Sequence, residues 1–255
     1  MKKQKNIIRN IRAKILKKTF DAQSSHIGSC FSIVEILYVI YFLKLKKKDT
    51  FILSKGHAAL ALYSTLCEKK IISKKTLDTY GKNNSYLMSH VSHKVKGVEF
   101  STGSLGHGLP YAVGKALGEK IKGSKNKVYV LISDGELNEG TTWESLLFAS
   151  FHKLDNLYVI IDYNKIQSLD FVKNVLKIEP LRKKLNSFNC NVKSIDGHDT
   201  NRIFQSLKIN YNKKPHLIIA NTIKGKGVDF MENTVSWHYK SPNKLQLKEA
   251  LNQLI

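Results

Sequence analysis

Cysteine is scarce in this 255-residue chain: Cys30, Cys67 and Cys190 are the only three, and they lie far apart. They fit neither a disulfide framework nor a C-x-x-C metal site, so a reducing cytoplasm is the simplest compartment. Proline is scarce too, at four residues, and no repeat or low-complexity linker divides the chain, so one domain over 1–255 fits better than two. Long apolar runs are missing. The most hydrophobic stretch, 36–43, is far too short to cross a bilayer, and Arg9, Arg12 and Lys14 interrupt the N-terminus so that it offers no secretory h-region. No membrane partner is expected. Acidic residues are outnumbered, 20 against 42 Lys and Arg, for a formal charge of +22. Such an excess invites a nucleic-acid reading. Here the lysines are scattered among Ile and Asn throughout the sequence, with no recognition-helix, zinc-finger or RNP-type pattern. That mixture points to compositional bias, not to specific nucleic-acid binding. An acidic partner chain or phosphorylated ligands would use the same field.

What is present is enough apolar material for a core, 42% of residues. Ile7, Ile11 and Ile15 recur every four residues and predict an amphipathic helix over 6–20; helical period also marks 32–44 and 57–69. From 80 to 106 the pattern gives way to Gly, Ser, His and Asn, as in a long functional loop. Beyond it, helices over 108–122, 139–153 and 200–208 alternate with apolar strands at 127–132, 157–162, 191–195 and 216–220. Continuous apolar strands separated by helices indicate an α/β fold, a doubly wound parallel sheet with helices on both faces.

The most informative unit is the β-α-β segment 127–167. Its first strand runs into Ser133-Asp134-Gly135 and its second into Asp162-Tyr163-Asn164. In a parallel sheet both strand ends lie on the ligand-binding edge. Asp134 and Asn164 supply a carboxylate and an amide oxygen, hard ligands suited to Mg²⁺, which completes its octahedron with phosphate and water oxygens. Gly135 lets the backbone approach closely, and the helix start that follows favours anions.

The run S-D-G-E-L-N-E-G followed by D-Y-N-K-I-Q closely resembles the thiamine diphosphate motif, G-D-G with an asparagine about thirty residues on. Ser133 stands in place of the first Gly, and its N–H is expected to reach a phosphate oxygen. Four further blocks occur in the order found in transketolases: S-S-H-I-G at Ser25-His26, L-S-K-G-H-A ending at His57-Ala58, S-H at His90 leading to G-V-E-F-S-T-G-S-L-G-H-G, and K-G-K-G-V-D-F-M-E-N with Trp237-His238. Together they cover 25–242. The resemblance implies that Asp134, Asn164 and the backbone carbonyl of Ile166 bind Mg²⁺, or another divalent cation such as Ca²⁺. It implies that Gly103 and Leu105 line the thiazolium and aminopyrimidine pocket, and that Glu139 hydrogen-bonds within the cofactor site and across an interface. His26, His90 and His238 would face sugar hydroxyls and share proton transfer, with His57 and His238 near the diphosphate. Histidine suits this work because its free pKa lies near neutrality. His107 stands where a glutamine is also common, and Gly225 and Gly227 resemble a phosphate loop or a tight turn between lysines. Cys30, Trp143 and Trp237 read as packing residues.

Thiamine diphosphate must become a carbanion at its thiazolium carbon. Family enzymes use a glutamate on a separate pyrimidine-binding domain for this, and no glutamate here matches it. The resemblance is therefore to the N-terminal subunit of a split transketolase, lacking the pyrimidine-binding and C-terminal domains. It would pair with a separate C-terminal subunit as two heterodimers and move a two-carbon ketol unit from a ketose phosphate to an aldose acceptor. The alternatives are another thiamine-dependent half-enzyme, a decarboxylase or a ketol synthase in sugar or coat-polysaccharide synthesis, and a non-catalytic scaffold of the same fold.

Overall fold

Five strands form one parallel sheet in the computed structural model, which describes residues 2–208 and 213–254: β1 (Thr50–Leu53), β2 (Val128–Ser133), β3 (Leu157–Tyr163), β4 (Asn191–Asp196) and β5 (His216–Asn221). Their order is β1-β2-β3-β5-β4, every pair parallel. Because side chains alternate along a strand, each central strand feeds two cores. In β2, Tyr129 and Leu131 join one cluster while Val128, Val130 and Ile132 join the other. In β3, Tyr158 and Ile160 oppose Val159 and Ile161 in the same way. Both faces must then be covered, and they are. This is the physical reason that the strands read as unbroken apolar runs.

The helices run in chain order as α1 (Lys2–Ala22), α2 (Ile27–Phe31), α3 (Val34–Tyr38), α4 (Ala59–Glu68), α5 (Lys74–Leu77), α6 (Gly108–Ile121) and α7 (Gly140–Phe151), followed by short helices. One face is covered by α1 through Ile11, Ile15 and Leu16 and by α4 through Leu60 and Tyr63. The other is covered by α6 through Leu109, Ala112 and Val113 and by α7 through Leu146 and Ala149. The helix expected over 32–44 is divided: α3 is followed by a π-helical turn, Val39–Lys44, closed by Leu45 N–H on the Ile40 carbonyl at 2.8 Å. The segment from 80 to 107 has neither helix nor strand. Cys30, Cys67 and Cys190 are free and buried, and Trp237 is buried. Trp143 packs beside Phe188 and donates to the Leu137 carbonyl at 2.9 Å, so both tryptophans pack as expected.

Candidate active site

Ser133 of β2 pairs in register with Asp162 of β3, so the loops that leave these strands emerge side by side. Lys165 N–H donates to Asp134 Oδ2 at 2.7 Å, which ties the two loops together across the thirty residues that separate Asp134 from Asn164 in sequence. The Asn164 amide is oriented from both ends. Its Nδ2 donates to Asp162 Oδ2 at 3.0 Å and its Oδ1 accepts from Ile166 N–H at 3.1 Å. Asp134 is 2% exposed. Burial, reinforced by the neighbouring Asp162 charge, pushes its carboxyl up to about 7. Lys55 and Lys224 offset only part of that penalty, so the carboxylate is under-compensated.

Asp162 is the opposite case. It accepts from Lys55 Nζ, from Ser32 Oγ at 2.7 Å and from Thr222 Oγ1. Burial alone would raise its pKa, but Lys55 and these hydrogen bonds outweigh burial and hold it below the usual value. Lys224 supplies the second buried ammonium, donating to the Ile166 carbonyl at 3.0 Å, the Gln167 carbonyl at 3.1 Å and His238 Nδ1 at 2.8 Å. Burial first, then Lys55, lowers it to about 8. The loop that carries Lys224 is clamped from behind. His198 Nε2 accepts Ile223 N–H at 2.8 Å, and its Nδ1 meets Glu35 Oε2 at 3.1 Å. Glu35 also pairs with Arg12, whose Nε donates to the Lys226 carbonyl at 2.9 Å.

One expectation needs correction, and one open alternative is decided. The Ser133 N–H does not reach out to a phosphate oxygen: it donates to Glu136 Oε2 at 2.9 Å, while Glu136 N–H donates to Ser133 Oγ at 3.3 Å. This is the reciprocal pairing of a capping box, legible in the sequence as S-x-x-E. Glu136, fully buried, also accepts from Gly106 N–H at 3.2 Å and from Ser54 Oγ. The K-G-K-G element is a turn and not a phosphate cradle. Gly225 has φ 82°, a Cβ there would meet the Met231 carbonyl oxygen at 2.3 Å, and its N–H is held by the Gly28 carbonyl at 3.0 Å. Gly227 N–H likewise goes to Glu232 Oε1, at 2.9 Å. The turn's product is the placement of Lys224.

The histidines converge from four separate segments. The His26 ring lies 5.4 Å from His57, 5.8 Å from His90 and 5.0 Å from His238, centroid to centroid. Burial leads in lowering all four: His26 to about 4, with His90 and Lys224 adding; His238 to about 3, with Lys224 adding; His57 well below its ordinary value; and His90 below its own. They are neutral imidazoles at pH 7, able to donate from one nitrogen and accept at the other. In His238 the Lys224 ammonium occupies Nδ1, which places the ring proton on Nε2. His26 itself has φ 73°, stabilised where its N–H donates to the His238 carbonyl at 2.7 Å.

The 80–107 segment closes over this edge. Gly106, at φ 81°, fits against Glu139, whose Cβ would lie 2.8 Å from a side chain added there, and Thr141 Oγ1 donates to the Gly106 carbonyl at 2.8 Å. Gly103 lies against the His90 ring. One cavity of roughly 320 Å³ results, lined by His26, His57, His90, Gly103, Leu105, Asp134, Gly135, Glu139, Asn164, Ile166 and His238 together. Every residue given a catalytic, cofactor or metal role from the sequence thus borders one space. His107, exposed at the start of α6, does not. Sequence reasoning missed Lys55, Lys224, Gln167 and Tyr239, which also line it.

Among the described residues no three His, Cys, Asp or Glu side chains gather to hold a metal. A cation here would rely on Asp134, the Asn164 amide oxygen, the Ile166 carbonyl and oxygens brought by a ligand. That mixed oxygen set suits Mg²⁺ with a diphosphate. The raised Asp134 and the Lys224 ammonium already on the Ile166 carbonyl both mark where positive charge is favoured, so the residues fit the group.

Residues 3–252 match the family model for the transketolase thiamine diphosphate binding domain. The chain is 43% identical to an apulose-4-phosphate transketolase subunit of Actinobacillus succinogenes, over 96% of this chain and 93% of that protein. It is 35% identical to 6-deoxy-6-sulfo-D-fructose transketolase subunit SqwG of a Clostridium species, over 98% and 94%. Against human transketolase identity is 33%, over 98% of this chain but 42% of the longer protein. The crystal structure of transketolase from Campylobacter jejuni superposes with a TM-score of 0.89 at 30% identity, again over 98% of this chain and 42% of that one. The parallel sheet, the Asp134–Asn164 edge and these similarities agree, and the chain belongs to the transketolase family as a thiamine diphosphate-binding domain.

Proposed function

We propose that this chain is the diphosphate-binding subunit of a two-chain transketolase that moves a two-carbon ketol unit from a ketose phosphate to an aldose acceptor in the cytoplasm. The observation that carries the reading is the single cavity in which an under-compensated buried carboxylate, an oriented amide oxygen and four neutral histidines meet. Thiamine diphosphate, held with Mg²⁺ or another divalent cation, would supply the nucleophilic carbon that accepts and releases the two-carbon unit. Asp134, Asn164 and Ile166 would hold the cation, and Lys224 and His57 would face the diphosphate. His26, His90 and His238 would bind sugar hydroxyls and exchange protons with them, which neutral imidazoles can do without first losing a charge.

The partner would be a separate chain carrying the pyrimidine-binding domain, in a pair of heterodimers with a cofactor at each interface. Its support is twofold. Relatives of this length are named as subunits, whereas human transketolase is more than twice as long. In addition, α7, which begins directly after Glu139, leaves Leu147, Phe148 and Phe151 exposed, and Tyr86 and Met88 are exposed on the 80–106 loop. Exposed apolar side chains on both elements suit contact with a partner chain. The donor is open among ketose phosphates and their sulfonate counterparts, given the relatives named for apulose 4-phosphate and 6-deoxy-6-sulfo-D-fructose.

The test is a coupled assay of the purified chain, alone and with a C-terminal transketolase chain, across a donor panel that includes those two sugars. Turnover should require both chains. Full activity of the 255-residue chain alone refutes the two-chain reading, and inactivity of every combination favours a scaffold.

A further inference from the structure

The mouth of the cavity carries one aromatic side chain that none of the histidine, carboxylate or lysine roles absorbs. Tyr239 follows the 3₁₀ turn Val235–His238 and lines the cavity beside His26 and His238. Its ring lies 4.8 Å from His238 at 60° and 6.2 Å from His26 at 55°. It is 62% exposed. Among the described residues its hydroxyl makes no hydrogen bond, which leaves it available to a ligand. Tyr63, by contrast, has its hydroxyl committed to the His90 carbonyl at 3.1 Å.

The backbone at Tyr239 is held while the hydroxyl is free. His26 N–H holds the His238 carbonyl at 2.7 Å and Tyr239 N–H donates to the Ser236 carbonyl at 3.3 Å, so the backbone that presents the phenol is tied on both sides. The phenol is amphipathic, with a flat face near the two imidazoles and a polar tip. Placed at the open end of a site whose interior is occupied by histidines, such a group meets the part of a substrate farthest from the reacting carbons.

We infer that Tyr239 is a specificity-determining residue: its ring forms one wall of the substrate entrance, and its hydroxyl hydrogen-bonds sugar hydroxyls beyond the two-carbon unit that is transferred. The inference rests on the proposed ketol transfer and deepens it. It predicts discrimination by length. A donor that carries hydroxyls on its distal carbons gains the phenol contact, and a three-carbon donor cannot.

The experiment uses the complex with a C-terminal transketolase chain, loaded with thiamine diphosphate and Mg²⁺. Two donors are compared, hydroxypyruvate as the short one and fructose 6-phosphate as the long one, with a single aldose acceptor. For Tyr239→Phe, kcat/KM for the long donor divided by that for the short one should fall about tenfold, the scale of one lost hydrogen bond to a neutral group. The loss should reside mainly in KM. Tyr239→Ala should lower the ratio at least as far. A ratio that stays constant, with both donors scaled alike, overturns the specificity role and assigns Tyr239 to packing. If the unmodified complex turns over neither donor nor any other in the panel, the proposed function fails and the inference fails with it.

Discussion

Replacing Asp134 by asparagine removes one charge from the cavity floor while nearly preserving shape. The sign of its effect depends on what else is bound. In the metal-free chain the carboxyl is raised from 3.8 to about 7, chiefly by burial and then by Asp162. A folded-state pKa above the unfolded one means that the folded chain keeps a proton that the unfolded chain releases. The associated stability is complete below about pH 4 and is lost as pH rises through about 7. At 1.36 kcal/mol per unit, the metal-free chain at pH 8 carries a penalty of about 4 kcal/mol as an upper bound. The introduced asparagine cannot ionise, and its amide oxygen can still accept Lys165 N–H. With about 2–4 °C per kcal/mol for a chain of this size, Asp134→Asn should melt higher than wild type at pH 8 in EDTA, by at most about 8–16 °C. With thiamine diphosphate and Mg²⁺ the order should reverse. Wild type gains about 5 kcal/mol at a ten-thousandfold excess over Kd, more than the penalty it carries, while the variant loses most of that gain. Scanning calorimetry in the two buffers reads both signs. A variant that melts lower than wild type in EDTA, or that keeps the full ligand-induced shift, would refute the charge argument.

Lys55→Met leaves Asp162 buried without its main counter-charge and should cost about 3–5 kcal/mol in urea denaturation, whereas a loss under about 1 kcal/mol would show that Thr222, Ser32 and Asn164 suffice. His26, His216 and His238 have folded pKa values of about 4, 4 and 3, lowered first by burial, so the folded chain rejects protons that the unfolded chain binds. Their stability is present above about pH 6.5 and lost as pH falls toward 4, and a melting temperature flat across that window would contradict it. Duplex DNA should bind weakly, without sequence preference, and with affinity that falls steeply in added salt; selective binding at physiological salt would restore the nucleic-acid reading.

Asp134 and Asn164 are legible in the sequence because consecutive parallel strands must end on one edge, whatever the helix between them does. The apolar runs of β2 and β3 likewise announce a sheet covered on both faces. The short helices are less visible. Lys244–Gln253 is marked chiefly by its capping box between Asn243 and Gln246, and α5 by Ser73 accepting from Thr76 N–H. Lys55 and Lys224 stay hidden for a different reason. In a chain with 42 basic residues, a lone lysine looks like solvated surface, and only tertiary structure shows these two to be 1% exposed. Glu136 carries a readable signature, but the adjacent Asp134-Gly135 pair draws the chemistry to itself. The histidine cluster is ordered by motif, while its convergence on His26 needs four segments distant in sequence to meet.

That convergence bears on how the site is made. The His26 N–H to His238 carbonyl bond and the Gly225 N–H to Gly28 carbonyl bond join segments near the start of the chain to segments near its end. Contacts of such sequence separation carry the largest loop-closure cost and form late. During translation the Asp134–Asn164 edge can assemble on the completed β2-α7-β3 unit, while the imidazole ring of His26 waits for a neighbour that has not yet been synthesised. The nascent chain therefore carries the Asp134–Asn164 pair before the Thr222–His238 stretch, which then adds the Asp162 partner Thr222, the Lys224 ammonium and the last imidazole together.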